Sequence, residues 1–511
     1  MPGLTGAALT SAKYSQLAGA LFSDKSIWSR RGNQALTPFF IDDTVFILQS
    51  NGVAAPLPLS TVQFNLPKNS TLIGRCHVEV TLSAGRDSGT INANTGFHPE
   101  LPYNAVTNFP IVEYVKNVGD QVFQQHSLIY GNATLQQFDG VFHYIWRRLT
   151  KNDVNIEAQN AMVLGGLPPG GNYDTGPERV LVDAWYRGVT LEVPLEEFYW
   201  VNQKDQYWMP ESLALEGQLR HVLAPNGSIM NTRNHALTDI LNAGRGLMPT
   251  ITNCVLRYQE VTLSAAEKEN MLKLYRTPEG AITHFLDLET QLGSVIAGTG
   301  VRAAPAAGIG GSLALQPAML WNVPLNNLRM DMAEIIFVIH RLTNAAVVPG
   351  AVVSPSTFPG EEGTYNPAGP GFSGSYAESN NLVQSILYNA APAGQLGAGF
   401  ATQINITEFK LQAAGKDLLS LQPQFWNRTF VRKYYHLDSQ IGDNIFIIPF
   451  AAFCEDRFNA TGSMAASVLG NLNLQITLPN PGSQISYQCD VYVHSHNLIQ
   501  CRAGGTVKAL N

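Results

Sequence analysis

At 511 residues the chain is long enough for two or more domains, each with a full hydrophobic core. It is 45% hydrophobic and only 14% charged, against about 25% charged in ordinary globular proteins. The formal net charge of -7 rules against a surface built to track nucleic-acid phosphates, so no direct nucleic-acid binding is expected. Forty-five Gly and 29 Pro point to many turns and long, polar, uncharged loops, a surface suited to being covered by neighbouring subunits.

Taken in order, residues 1 to 35 carry no strong strand pattern. They read either as an arm outside the first core, with a short helix candidate at Leu17 to Phe22, or as an ordinary flexible terminus. Strands are expected at Phe39 to Leu48, Val62 to Leu66 and Cys76 to Leu82, before a Gly/Asn/Thr-rich loop at Gly85 to Pro102. Ile111 to Val118 and Gln121 to His126 read as a hairpin about Gly119-Asp120. Phe138 to Leu149 fits helix or strand, and Gly165 to Pro177 is a loop. Strands resume at Val180 to Tyr186 and Thr190 to Pro194. A mixed segment, Asn202 to Arg245, follows with a short helix candidate at Leu237 to Ala243, and Val255 to Leu263 closes the first core. Ser264-Ala265-Ala266-Glu267 is a capping box, starting a helix to about Tyr275 that joins the halves.

The second half opens at Ile282 to Leu288, continues through an Ala/Gly loop at Ala297 to Gly311, and gains two strands within Leu320 to Arg341. Asn344 to Ala401 is almost all Pro, Gly, Ser, Asn and Ala, too long for an idle loop in a compact domain. From Ile406 the pattern is strand, tight turn at Ala414-Gly415-Lys416, and strand. Asn444 to Phe450 is a short, almost wholly apolar run that fits a strand buried on both faces, whereas Leu472 to Leu478 alternates as a half-buried strand should. Ile485 to His496 ends the core. Scarce helix and many short strands give an all-β class, two jelly rolls or sandwiches in tandem. The expected division is 1–35 arm, 36–263 first roll, 264–280 connecting helix and linker, 281–505 second roll, and 506–511 tail.

Four phrases recur in one order and argue for duplication. Asn65-Leu66-Pro67 before Cys76 to Val80 matches Asn322-Val323-Pro324 before Ile335 to Ile339. Val112-Glu113-Tyr114 matches Thr407-Glu408-Phe409, Leu191 to Phe198 matches Phe446 to Phe453, and Gln259 to Leu263 matches Leu474 to Leu478.

No residue earns a catalytic, cofactor or metal role. Gly308-Ile309-Gly310-Gly311 lacks the Lys-Ser/Thr of a phosphate loop, and no HExxH or nucleophile elbow occurs. Glu196-Glu197 and Glu361-Glu362 are sequence neighbours, which on a strand point to opposite faces, so they read as solvated charge. Arg147-Arg148 and Arg428 to Lys433 read as solvated strand edges. Cys489, His494, His496 and Cys501 match no zinc spacing. The five cysteines, Cys76, Cys254, Cys454, Cys489 and Cys501, are expected to be free buried thiols of a protein made in a reducing compartment. Leu4 to Phe22 lacks the basic start of a signal peptide, and no run reaches the roughly 18 apolar residues of a membrane span. Sequons at Asn69, Asn132, Asn226, Asn405, Asn427 and Asn459 are explained by an Asn- and Thr-rich composition.

Several stretches resemble the major capsid proteins of large icosahedral double-stranded DNA viruses of eukaryotes and their virophage relatives, the lineage of the adenovirus hexon. They are Glu408 to Asp417 (EFKLQAAGKD), Tyr434 to Phe450 (YYHLDSQIGDNIFIIPF), Gly462 to Ala466 (GSMAA) and Val491 to Gly505 (VYVHSHNLIQCRAGG). Val112 to His126 and Val261 to Met271 are similar to segments of the family's first half. The chain departs from the family in lacking its Asn-Phe-Ser run and in carrying Pro194-Leu195-Glu196-Glu197-Phe198-Tyr199-Trp200 for its Pro-Leu-Phe-Trp block. The resemblance implies two eight-stranded jelly rolls and a structural, non-enzymatic role. It implies a homotrimeric capsomer of pseudo-hexagonal outline tiling an icosahedral virion shell, with tower loops at Asn344 to Ala401 and Gly165 to Pro177. Implied partners are neighbouring capsomers, minor capsid proteins, penton protein and internal membrane-associated proteins, with the arm at residues 1 to 35 touching them. The competing readings are a tandem β-sandwich carbohydrate-binding protein or glycosidase, with Trp200, Trp208 and Glu196 as its best residues, and a minor capsid or spike protein of the same lineage.

Overall fold

The computed structural model describes residues 39–48, 61–67, 72–83, 86–87, 111–114, 117–131, 133–150, 184, 188–198, 217–223, 229–233, 246–247, 250–277, 280–297, 318–326, 328, 331–343, 406–422, 435, 445–452, 462–478, 485–501 and 508–510. Sixteen strands build two sandwiches. The first uses β1 (Phe39–Leu48), β2 (Thr61–Asn65), β3 (Leu72–Leu82), β4 (Phe123–Tyr130), β5 (Ala133–Asp139), β6 (Val189–Pro194), β7 (Gly217–Leu223) and β8 (Ile251–Leu263). The second uses β9 (Ala281–Ala297), β10 (Met319–Leu325), β11 (Asp331–Thr343), β12 (Glu408–Ala413), β13 (Lys416–Leu421), β14 (Ile445–Pro449), β15 (Leu472–Leu478) and β16 (Ile485–Cys501).

The first sandwich pairs sheets of order β1-β8-β3-β6 and β2-β7-β4-β5. The second repeats the pattern as β9-β16-β11-β14 and β10-β15-β12-β13, every pairing antiparallel. Both are jelly rolls: adding eight to each strand number of the first gives the second. The repeat extends to single bonds. Pro194 opposes His77 and Pro449 opposes Glu334, and the next residue in each case donates back to the third strand. Leu195 N–H bonds Cys76 O at 3.0 Å, and Phe450 N–H bonds Ala333 O at 2.8 Å. Proline closes each strand because it has no N–H to give the ladder.

Two of the four recurring phrases therefore fall on equivalent strands, β2–β3 with β10–β11 and β6 with β14. The other two do not. Gln259 to Leu263 lies on β8, an equivalent of β16, while Leu474 to Leu478 lies on β15. Val112 to Tyr114 lies on a short strand, Ile111–Tyr114, which pairs with Met230–Arg233 outside the sandwich. The expected hairpin about Gly119-Asp120 is also corrected. Those residues sit in a short helix, α1 (Val118–Gln121), entered through Asn117 at φ 57°. The real hairpin joins β4 to β5 through Gly131, whose φ of 57° suits glycine.

Phe138 to Leu149 resolves as helix α2 (Gly140–Thr150), which carries a polar stripe on an otherwise apolar surface and is buried along almost its whole length. Helix α3 (Ala265–Tyr275) joins the rolls; Ser264 Oγ accepts from Glu267 N–H at 3.3 Å, one half of the expected capping box. The β12–β13 turn has two residues, Ala414 (φ 49°) and Gly415 (φ 78°), the positive pair that matches strand twist.

Burial explains the contrast between strand sequences. Ile335, Phe337 and Ile339 of β11, with Phe446 and Ile448 of β14, line the interior of the second roll. Ile336, Val338, Ile445 and Ile447, between them, face the other way and join the apolar cluster of the first roll. The sheet is buried on both faces, so its strands read as continuous apolar runs.

Candidate functional site: the junction between the rolls

Helix α2 is the wedge between the rolls. Asp139, the residue before it, accepts Phe142 N–H at 2.7 Å as an N-cap and also accepts the Tyr492 hydroxyl of β16 at 3.0 Å. One face of the helix meets the second roll. Phe142 and Trp146 set their rings edge-on to His494, with centroids 5.2 and 5.0 Å away, and Phe142 lies 5.4 Å from the Tyr492 ring. Gly140 permits the fit, since a Cβ there would come within 2.6 Å of the carbonyl oxygens of Asp120 and Phe123.

The other face carries His143 and Arg147, one helical turn apart. Arg147 grips Asp120 through Nε at 3.2 Å and Nη2 at 2.6 Å, and Nη2 also reaches Asn117 Oδ1 at 3.1 Å. His143 has an oxygen at each nitrogen: Asp120 Oδ1 lies 2.8 Å from Nδ1, and Pro194 O lies 2.6 Å from Nε2. Glu197 Oε1 is 3.4 Å from the same Nε2. Nε2 donates to Pro194 O, whereas Asp120 stands near Nδ1 as a charge contact without hydrogen-bond geometry, and carboxyls at both ends of the ring favour its imidazolium form. Burial works against that charge, but Glu197 and Asp120 outweigh it and raise the His143 pKa to about 9. Burial likewise would lift the Asp120 carboxyl, yet Arg147 and His143 hold it below its ordinary value. Glu197 is raised to about 7, burial prevailing over the pull of His143.

The second roll answers with its own buried pairs. Glu334 of β11 bonds His494 Nδ1 at 2.6 Å and accepts the Tyr435 hydroxyl. His340 Nε2 lies 2.8 Å from Asp490 Oδ2, and Asp490 Oδ1 accepts Gly293 N–H at 2.6 Å where β9 bulges.

Two sequence expectations are overturned here. Arg147 is no solvated strand edge but a 2% exposed helix residue, and Glu197 is 5% exposed beside His143 rather than solvated. Arg148 and Glu196 are half-buried. Cys489 faces the interior of the second roll while His494 faces the junction, and His496 bonds Gly462 O at 3.2 Å, so those residues do not converge. No group of three His, Cys, Asp or Glu able to hold a metal occurs among the described residues. Cys76, Cys254 and Cys489 are free and buried, with burial pushing each thiol pKa up. No described helix is long and apolar enough to cross a membrane. Glu361-Glu362, Gly308 to Gly311, Arg428 to Lys433, Trp200, Trp208, Cys454, the six sequon asparagines, the segments 1–35, 165–177 and 344–401, and the candidate helix 237–243 lie outside the described residues.

Asp120, His143, Glu334 and the histidines of β4 and β7 were missed by sequence reasoning. Two signals were available. Glu334 interrupts the apolar run from Met332 to Ile339, and His143 with Arg147 forms an i, i+4 polar stripe on an apolar helix.

No protein-family model matches the sequence, and no curated protein matches it. Solved structures do. The Faustovirus major capsid protein aligns over 98% of this chain and 99% of its own, at a TM-score of 0.59 and 9% identity. The PBCV-1 virus capsid, in its quasi-atomic form, aligns over 94% and 98%, at 0.58 and 14% identity. The chain has the fold of these double jelly-roll capsid proteins. The match runs through both rolls.

Proposed function

We propose that the chain is a major capsid protein that associates as a homotrimer, forming a capsomer of pseudo-hexagonal outline that tiles an icosahedral virion shell. The observation that carries this reading is the end-to-end alignment over both rolls with the Faustovirus capsid protein. The internal geometry supports it physically. Two rolls of identical strand order, joined through a continuous buried cluster, give one rigid body with two similar lobes, and three such bodies give six lobes. The role is structural rather than enzymatic. Neighbouring capsomers, minor capsid and penton proteins and internal membrane-associated proteins are its partners, and its site is the virion. The division at 36–263, 264–280 and 281–505 is part of the same proposal, with residues 1–35 as a contact arm and the free thiols reflecting synthesis in a reducing compartment.

Light scattering of the purified protein, with negative-stain images of the same sample, tests the proposal. A particle of three times 55.6 kDa with a hexagonal outline is expected. A monodisperse monomer would overturn it.

A further inference from the structure

Deep in the first roll, His126 of β4 and His221 of β7 meet Nδ1 to Nδ1 at 2.9 Å, and both residues are 0% exposed. This contact forms a hydrogen bond only while one Nδ1 donates and the other is bare. Both Nε2 atoms are also buried, and among the described residues neither has a hydrogen-bond partner. An added proton would therefore find no acceptor, and a second would set two N–H groups head to head.

The surroundings offer no compensation. Phe64 of β2 lies 5.8 Å from the His221 ring, and Phe123 of β4 lies 5.0 Å from it. Phe123 and Phe138 of β5 close on His126 at 5.4 and 5.1 Å. From α2, His143 stacks on His126 at 5.4 Å with rings 21° apart, and the Asp120 and Glu197 carboxyls beside it favour its cationic form. Arg147 stands behind Asp120. The only charged group in ring contact with the pair among the described residues thus has the sign of a proton.

We propose that the His126–His221 pair is an acid-release device, which holds α2 in the junction while both rings are neutral and expels it when they take up protons. The mechanical link is direct. His126 carries His143 on one face of α2, and Phe142 just before it and Trp146 three residues on brace the second roll through His494 and Tyr492.

Burial, reinforced by the neighbouring histidine charge, lowers His221 to about 3 and moves His126 in the same direction. A histidine lowered in the folded state contributes stability above the ordinary value of about 6.5 and loses it as pH falls below that. Glu197 and Asp139, raised to about 7 and about 6, act in the opposite sense, since acid neutralises them in place. A comparison that alters only the histidine pair cancels their effect.

The test is hydrogen exchange of α2 and β16 peptides in the full-length protein at pH 6.5 and 5.0, corrected for intrinsic exchange. The unaltered chain is compared with the double variant His126→Phe/His221→Phe, which replaces both partners by apolar rings. If opening frees both histidines, the opening constant in the unaltered protein should rise by on the order of 200-fold more than in the variant. An equal pH dependence in the two proteins would overturn the proposal. A second measurement needs no variant: deuterium exchange at the histidine C2 carbons, followed against pH, titrates each ring in place. Both rings should titrate far below ordinary histidine, and either one titrating near 6.5 or above would refute the device.

Discussion

The two sheets of the second roll show what the junction does to a sequence. In β10-β15-β12-β13 one face is wet, and β15 and β12 alternate strictly between buried and half-buried residues. In β9-β16-β11-β14 both faces are covered over the central strands, and Met332 to His340 and Cys489 to Ser495 are buried without a break. Polar residues follow the same division. On the wet sheet, Asn473 and Gln475 share Asn322 Oδ1, and Lys410 lies 3.6 Å from Glu408 and 3.4 Å from Asp417, exposed contacts worth little each. On the covered sheet, Glu334, His340 and Asp490 are buried and each is met by a charged or hydroxyl partner, because an unpaired charge there would be costly. A strand that loses its alternation has gained a second neighbour, and its surviving polar residues mark where that neighbour is held.

Substitutions on either side of this division should differ in size. Asp120→Asn leaves Arg147 and His143 buried without their carboxylate and should cost about 3–5 kcal/mol in urea melts. An exposed pair such as Lys410–Asp417, broken by Asp417→Asn, should leave the urea midpoint nearly unchanged in the same melts. Gly140→Ala forces a methyl against two backbone oxygens, so α2 must shift; a loss of about 1–3 kcal/mol is expected, together with faster hydrogen exchange along β16. The smallest effect belongs to the wet sheet. Ala414→Asn should stabilise by about 0.5–1 kcal/mol, seen as a higher urea midpoint, because Asn accepts the positive φ that Ala414 now holds and completes an Asn-Gly turn. A stabilisation from Gly140→Ala, or a destabilisation from Ala414→Asn, would break the division.

Much of the fold was legible because period-2 patterning is local. Leu472 to Leu478 and Asn444 to Phe450 announced one-sided and two-sided burial, each within one short segment of the chain. The joining helix was legible from its capping box, and Ala414-Gly415 from turn chemistry. The junction was not legible, since its partners are distant in the chain. Arg147 finds Asp120 27 residues back, and His143 finds Pro194 O 51 residues on. A doublet such as Arg147-Arg148 looks like surface charge until α1 supplies a carboxylate. The false hairpin at Gly119-Asp120 has a similar cause: a good turn pair was taken up by a helix whose Asp120 serves that same cluster. The two misplaced repeats, at Val112 and Gln259, were alternating strands with the right texture and the wrong place in the topology.

The two rolls share one core through the junction. Neighbouring residues of β14 test it, because Ile447 faces the first-roll cluster and Ile448 the interior of the second roll. Scanning calorimetry of the full chain, unaltered and as Ile447→Ala and Ile448→Ala, reads the outcome directly. One cooperative transition, lowered by both substitutions to a similar extent, is the predicted result. Two separate transitions, with Ile447→Ala moving neither, would contradict it.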